Sequence, residues 1–289
     1  MHIKDQKSTW KIMIPCLLVV DPFLRRNSHK ATITDMSSRH SGSSRHRAHQ
    51  SRSTDANSEA MIEQVKTIVT QLNDVVASNP HEWETYLPSA RSALAALEHL
   101  RFFRDPQRYA EQIWILHGLQ DYAFHDADSG CIPDIADFCQ ASWLRILRNY
   151  PDNVETLTGL GSNWLQRAQA TLARIQREEG NDSSSQASPS ADPRRQGPLY
   201  VEARGYLQPA VDFYARAVRS SDALGETPGA ILASAAESQM SLGNVTASPS
   251  DEPYFTQAIR YLRRAEAIPG YTLSIYLEQY LNDYGRYVS

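Results

Sequence analysis

The chain has 289 residues, of which 41% are hydrophobic and 21% charged, so it can bury a core, but its apolar residues are unevenly placed. Its net charge of −4 divides into about +6 for residues 1–57, which hold 10 basic and 4 acidic residues, and −10 for the remainder, which holds 19 basic and 29 acidic residues. An acidic body excludes broad nucleic-acid binding by the folded part, because such binding needs clustered cations that release counterions.

The cysteine count and the hydropathy pattern exclude two further classes of protein. Cys16, Cys131 and Cys139 are too few and too widely spaced for a disulfide framework or a zinc site, so we expect the last two to be buried thiols in a reducing compartment, the cytoplasm or the nucleus. No run of residues approaches the ~20 apolar positions that a membrane span requires, so no transmembrane span is predicted.

Residues 1–57 are predicted to be a disordered or targeting tail, because their second half is rich in Ser, Arg and His and has almost nothing to bury. Ile12–Val20 resembles the apolar region of a signal peptide, but Pro15 interrupts it and no small-x-small cleavage site follows. A mitochondrial presequence also fits the composition. A true start at Met36 or Met61 is a further alternative, and the sequence leaves these readings open.

A helical hairpin is predicted over residues 58–106. Apolar residues recur at helical spacing from Met61 to Val76, and Ser58 can cap the start of that helix. A second helix is predicted from about Pro88 to Phe103, with Pro88 at a position that the first turn of a helix tolerates.

Residues 107–287 read as helix after helix, with no strand-like alternation, and the predicted fold class is therefore all-α. Two polar inserts rich in Ser and Pro, at 180–197 and 244–252, interrupt the series and are predicted to be disordered. The seven predicted helices are Gln107–Phe124, Pro133–Asn149, Val154–Arg177, Leu199–Ser220, Pro228–Leu242, Tyr254–Ala267 and Thr272–Tyr287.

A spacing pattern recurs in three of these helices: a small residue, a bulky residue four positions later, and a small or aliphatic residue three positions after that. The small residue lets one helix approach another, and the bulky residue fills the groove beside it. The three copies are Ala210-x₃-Tyr214-x₂-Ala217, Ala258-x₃-Leu262-x₂-Ala265 and Cys139-x₃-Trp143-x₂-Ile146. Pro151 and Pro269 follow two of the copies and would stop the helix.

A second pattern, Leu157-x₂-Leu160-Gly161-x₂-Trp164, precedes one of these copies, and looser versions occur at Leu232 and at Trp114 with Gly118. Together the two patterns resemble the helical hairpins of the tetratricopeptide-repeat family. The resemblance covers residues 107–287 and implies a right-handed stack of antiparallel hairpins, an α-solenoid, with each insert between the two helices of one repeat.

The same resemblance implies a scaffold or adaptor that binds a partner on its concave helical wall. Carried over residue by residue, the family pattern points Thr158, Ser162, Gln166, Ala233 and Glu237 to that wall. The Lys, Arg and Asn residues with which the family clamps a carboxylate are missing at these positions. The expected ligand is therefore a neutral or basic segment of a protein, with no cofactor.

Two other function classes remain as alternatives: a membrane- or organelle-tethered adaptor that uses residues 1–35, and an enzyme on a helical scaffold. The enzyme reading would need a pocket that gathers His117, His125 and carboxylates, and no catalytic or metal motif supports it. The segment 125–128 (His-Asp-Ala-Asp) is predicted to be a polar turn that caps the helix at Pro133. The bulky aromatic residues of the two patterns are expected to fill the core; they are Trp114, Trp143, Trp164 and Tyr214.

Ser188 and Ser248 each precede a proline and are predicted phosphorylation sites for a proline-directed kinase. Both lie in the polar inserts, where a kinase could reach them.

Overall fold

The computed structural model describes residues 45–181 and 193–288, and within these ranges it contains nine α-helices and no β-strand. The helices are α1 (Arg45–Ser78), α2 (Trp83–His99), α3 (Tyr109–Ala123), α4 (Pro133–Asn149), α5 (Val154–Asn181), α6 (Pro198–Ala223), α7 (Gly229–Asn244), α8 (Glu252–Glu266) and α9 (Ile275–Tyr284). The predicted all-α class of antiparallel helical hairpins is confirmed. No helix within the described ranges combines the length and the apolar character that crossing a bilayer requires.

The ends of several helices differ from the prediction; α5, for example, runs to Asn181, inside the insert predicted to be disordered at 180–197. The first turns of α1 fall inside the segment 1–57 that the sequence assigns to a tail, while residues 1–44 and Ser188 lie outside the described residues. Helix α2 begins at Trp83, so Pro88 lies in its interior and the prediction that it opens the helix is wrong. A short 3₁₀ turn at Pro80–Glu82 leads the chain into helical geometry before the proline is reached.

The chain divides into two compact units. The N-terminal unit comprises residues 45–125 and 133–145, and the C-terminal unit comprises residues 126–132 and 146–288. Helix α3, which the sequence groups with the repeats, therefore belongs with α1 and α2.

In the N-terminal unit, α1 packs against α2 and α3. Gly118 permits the approach of α3, because a Cβ at this position would overlap the side chain of Val69 on α1. Trp143 is fully buried, and its indole nitrogen donates a hydrogen bond of 2.9 Å to the side-chain carbonyl of Gln120. Trp114 is 41% exposed, so the expectation that it fills the core is wrong: it lies on the solvent side of α3.

The connection between α2 and α3 is held by one buried side chain. The amide nitrogen of Gln112 donates hydrogen bonds to the backbone carbonyls of Phe102 (2.8 Å) and Asp105 (2.7 Å), and Gln112 is 2% exposed. Each of these carbonyls also accepts a long backbone hydrogen bond, Phe102 from the Asp105 N–H (3.3 Å) and Asp105 from the Arg108 N–H (3.4 Å), so the Gln112 amide adds a shorter second bond to each.

We expect Gln112→Leu to lower the free energy of unfolding by about 2 kcal/mol, because two carbonyls lose their shorter hydrogen bond and keep only a long backbone one. Urea denaturation followed by circular dichroism measures this loss. Gln64→Leu on the exposed face of α1 is the matched control and should change stability little. Equal effects of the two substitutions would contradict the assigned role of Gln112.

The C-terminal unit contains two hairpins, α5 with α6 and α7 with α8; α6 also packs on α7 and α8 on α9. The spacing pattern identified in the sequence marks buried positions here: each of its six residues in α6 and α8 is at most 3% exposed. These residues are Ala210, Tyr214, Ala217, Ala258, Leu262 and Ala265. The repeated small and bulky residues therefore form the helix–helix contacts, as the spacing predicts.

The connection between α7 and α8 differs from the prediction of disorder at 244–252. Asn244 ends α7, and the following residues form a turn. The guanidinium of Arg204 on α6 donates a hydrogen bond of 2.6 Å to the carbonyl of Val245, and Arg195 donates one to the carbonyl of Thr246. The segment is ordered because these arginines satisfy carbonyls that a polar loop would otherwise leave to water. Ser248 is exposed in this turn, and its phosphorylation stays a prediction.

Candidate functional site

The residues predicted to line the binding wall lie on α5 and α7, which are in contact within the C-terminal unit. Thr158, Ser162 and Gln166 are four residues apart and share one face of α5, as Ala233 and Glu237 do on α7. The wall is less open than predicted. Gln166 and Ala233 are each 7% exposed, and the other three residues are half-buried.

The Glu237 carboxylate is the most unusual group on this face. It is half-buried, with protein on most sides, and the described residues offer it neither an ion pair nor a hydrogen bond. Burial raises the pKa of Glu237 to about 7, because the charged form loses its water without gaining a compensating partner. At neutral pH this side chain is therefore poised between its neutral and charged forms.

Tyr214 of α6 brings two of the predicted residues together. Its hydroxyl hydrogen-bonds with Ser162 of α5 and Ser234 of α7. Burial raises the pKa of the Tyr214 phenol, and the neighbouring Glu237 charge raises it further. The small size of Gly161 permits this arrangement, because a Cβ there would lie only 2.8–3.0 Å from three atoms of the Tyr214 ring.

Helix α9 closes the site with two further tyrosines. Burial raises the pKa of Tyr276 to about 12, with the Glu237 charge as a second cause. Burial also raises the pKa of Tyr280, whose ring lies 4.9 Å from that of Tyr284. The hydroxyls of Tyr276 and Tyr280 are buried and have no hydrogen-bond partner among the described residues. We name the five residues Ser162, Tyr214, Ser234, Glu237 and Tyr276 the Glu237 cluster.

Unsatisfied oxygens extend along the same face of α5. The hydroxyl of Thr158 and the side-chain carbonyl of Gln166 are buried and have no partner among the described residues. Buried polar atoms in folded proteins are nearly always hydrogen-bonded, so several unsatisfied oxygens on one face call for an explanation. Together they offer hydrogen-bond acceptors and a carboxylate, which is the chemistry that a cationic donor requires.

Three members of this face were not singled out from the sequence as candidate site residues: Ser234, Tyr276 and Tyr280. The recurrence of tyrosine every four residues along α9, at 276, 280 and 284, is the one signal that marks this stripe. Tyr214 was predicted to fill the core, and it does so, but its hydroxyl also links Ser162 to the Glu237 face.

The histidines considered for an enzyme lie elsewhere. The His117 ring packs edge-on against Trp143 at 5.2 Å, and the His125 ring lies 4.9 Å from that of Trp83. Residues 124–129 form a turn, as predicted, but it does not cap α4: the cap residue is Ile132, which makes no side-chain capping bond. Proline at the first position of α4 starts that helix without a polar cap. Within the described ranges, no three His, Cys, Asp or Glu residues are grouped as metal ligands would be.

The sequence matches no protein-family model and no curated protein. One solved structure is similar to the chain: that of the nuclear import adaptor Nro1 of S. pombe, at a TM-score of 0.49 and 16% sequence identity. The similarity covers 78% of this chain and 66% of that chain, so the present chain spans slightly less than two thirds of its length.

Proposed function

We propose that this chain is an adaptor whose helical hairpins, of tetratricopeptide type, bind a basic segment of a partner protein on the face formed by α5, α7 and α9. The observation that carries the proposal is the half-buried Glu237 carboxylate, which has no ion pair or hydrogen bond from a described residue and whose pKa is raised by its surroundings. A lysine or arginine of the partner is the group that this carboxylate lacks. The adaptor would act in the cytoplasm or nucleus.

The energetics favour a cationic ligand over a neutral one. An unpaired buried carboxylate costs free energy, and a cation that enters the site recovers part of that cost as Coulombic and hydrogen-bond energy. The Tyr276 hydroxyl, which has no partner among the described residues, can accept a hydrogen bond from the same ammonium or guanidinium group. A second carboxylate or a phosphate would instead be repelled.

A pair of labelled peptides tests the proposal. One carries a single lysine among small neutral residues, and the other carries glutamine at that position. Fluorescence anisotropy with the full-length chain should show binding of the lysine peptide only. Binding should be stronger at pH 8 than at pH 5.5, because Glu237 is charged only at the higher pH. Equal binding of both peptides, or no change with pH, would argue against the proposal.

Tyr276→Phe tests whether the Tyr276 hydroxyl serves ligand binding or the stability of the fold. Because the Tyr276 hydroxyl is buried and has no partner among the described residues, its removal should leave the free energy of unfolding unchanged or raise it by about 1 kcal/mol. The same change should weaken binding of the lysine peptide about three- to tenfold if the hydroxyl accepts a hydrogen bond from the ligand.

Tyr122→Phe in the N-terminal unit is the contrasting variant. Its hydroxyl donates a hydrogen bond of 2.6 Å to the carbonyl of Trp83 and should therefore be needed for stability, at about 1–2 kcal/mol. Peptide affinity should stay unchanged in that variant. A Tyr276→Phe protein that is destabilised to the same extent but binds normally would show that the hydroxyl is structural.

A further inference from the structure

A second surface with the opposite charge lies in the N-terminal unit. A recess of about 220 Å³ forms where the end of α2, the segment that follows it and α4 meet. Its apolar floor consists of Leu97, Phe103 and Phe138, and the two phenyl rings pack edge to face at 5.9 Å. Its remaining lining residues are charged: Glu98, Arg101, Arg104 and Arg145.

The three arginines of this recess are exposed, and none of their guanidiniums forms an ion pair or a side-chain hydrogen bond with a described residue. Other arginines of the same unit are paired: Arg91 with Asp134, and Arg108 with Glu59 and Glu111. With Glu98 as the one carboxylate, the recess carries a local excess of two positive charges on a body whose charge is otherwise negative.

Arg101 adds a second and independent observation. Its φ of +52° makes it the one residue other than glycine with a positive φ among those described. It occupies the position after the end of α2, where a left-handed residue closes many helices and glycine is the usual choice. An arginine in this conformation costs free energy that a glycine would not, and such strain concentrates at functional positions. The turn alone would favour glycine at position 101. A role for the guanidinium therefore explains the presence of arginine better than the turn does.

We infer that this recess binds an acidic segment of a partner protein, with an apolar side chain seated on the Leu97–Phe103–Phe138 floor and carboxylates paired with Arg101, Arg104 and Arg145. Charge complementarity selects this occupant, because three unpaired guanidiniums around an apolar floor match a short stretch of alternating acidic and apolar residues. A nucleic acid fits less well, because the acidic body repels a long polyanion. The surface is distinct from the Glu237 cluster and does not depend on the function proposed for it.

Selection from a phage-displayed library of short random peptides tests the inference on the full-length chain. The wild-type protein should enrich peptides in which Asp or Glu flank Leu, Ile, Met or Phe. The R101G/R145A protein should not enrich them. A selected peptide, labelled and measured by fluorescence anisotropy, should lose affinity about three- to tenfold for each guanidinium removed and should weaken as salt is added. The same peptide with phosphoserine in place of aspartate distinguishes carboxylate from phosphate as the preferred anion.

Arg101→Gly removes a guanidinium without destabilising the protein, so a loss of peptide binding in this variant cannot be attributed to unfolding. Glycine adopts the left-handed backbone conformation at position 101 without strain. The variant should therefore melt at the wild-type temperature or above it while binding the acidic peptide more weakly. Arg260→Ala, which removes an exposed arginine of α8, is the matched control and should bind like the wild type. Retention of the same acidic peptides by R101G/R145A would overturn the inference, as would the absence of any acidic family among the selected peptides. A labelled single-stranded RNA that binds in preference to the peptides, through these arginines, would also overturn it.

Discussion

Glu237→Gln should raise the free energy of unfolding at pH 8 by about 2–3 kcal/mol and, in the same protein, abolish measurable binding of a basic segment. The carboxylate is half-buried without a partner, so at this pH the folded protein carries an uncompensated and partly desolvated charge. Glutamine has nearly the same shape and removes the charge. A gain in stability with a loss of function is the behaviour expected of a residue retained for binding rather than for folding.

The pH dependence of stability follows from the direction in which the pKa of Glu237 shifts on folding. The pKa of Glu237 rises from its ordinary value near 4.5 to about 7 in the folded protein, so the folded state binds a proton more tightly than the unfolded state does. The wild type should therefore lose stability as the pH rises from about 4.5 to 7 and change little above that range. The titratable groups that face Glu237 are Tyr214 of α6 and Tyr276 of α9, and both stay neutral throughout this interval. The glutamine variant should not show this decline.

Urea denaturation at pH 5 and pH 8 measures the difference. The gap between Glu237→Gln and the wild type should be small at the lower pH and largest at the higher one. Glu266→Gln on the exposed side of α8 is the matched control and should leave both the stability and its pH dependence unchanged. If Glu237→Gln is no more stable than the wild type at pH 8, the carboxylate is hydrated, and the main support for a cationic ligand is lost.

The two proposed surfaces differ in charge and lie in different units, so single variants can separate them. Glu237→Gln should remove basic peptides from a selection and leave acidic ones, and Arg101→Gly should do the reverse. If each variant removes its own class of peptide, the chain is an adaptor with two specificities. If only one variant does so, the other surface has no binding role, and the remaining proposal stands by itself.

The all-α class and most of the helices were predictable from the sequence because apolar periodicity is a local signal. Pro133 and Asn149 bound α4 as predicted, since a proline starts this helix and a Tyr-Pro step follows it. The spacing around Tyr214 identified the core of the C-terminal hairpins for the same reason. The start of α2 was not predictable from Pro88 alone, because the 3₁₀ turn before it supplies the helical entry.

The site could be predicted only in part. The spacing predicts that Ser162 and Glu237 face a common wall, which stays a prediction, but the tyrosine of α9 beside Glu237 could not be predicted from a local pattern. Tyr276 joins Glu237 through tertiary packing across helices that are distant in sequence. The left-handed conformation of Arg101 is likewise invisible in the sequence, since glycine rather than arginine is the residue that signals it.

Gly161→Leu should cost about 4 kcal/mol or more of the free energy of unfolding, because no space exists for a side chain at this position. Even a Cβ would lie 2.8–3.0 Å from three atoms of the Tyr214 ring. That ring is 3% exposed and its hydroxyl is held by Ser162 and Ser234, so it cannot move aside without breaking those hydrogen bonds. The added leucine must therefore force α5 away from α6.

Gly205→Leu provides the matched control. Gly205 also lies inside a long helix of the same unit, but it is exposed and a Cβ there meets nothing within 4 Å. Leucine is the better helix former, so this variant should gain about 0.5–1 kcal/mol. Urea denaturation of the two variants separates two effects. The cost of crowding the contact between Gly161 and Tyr214 appears only in Gly161→Leu, whereas the change in helix propensity appears in both. Because Gly161 and Tyr214 come from the two sequence patterns, a similar result for both variants would show that the patterns do not report a shared packing contact. A large loss at Gly161 alone would show that the missing side chain at this glycine is what permits α5 to pack closely against Tyr214 of α6.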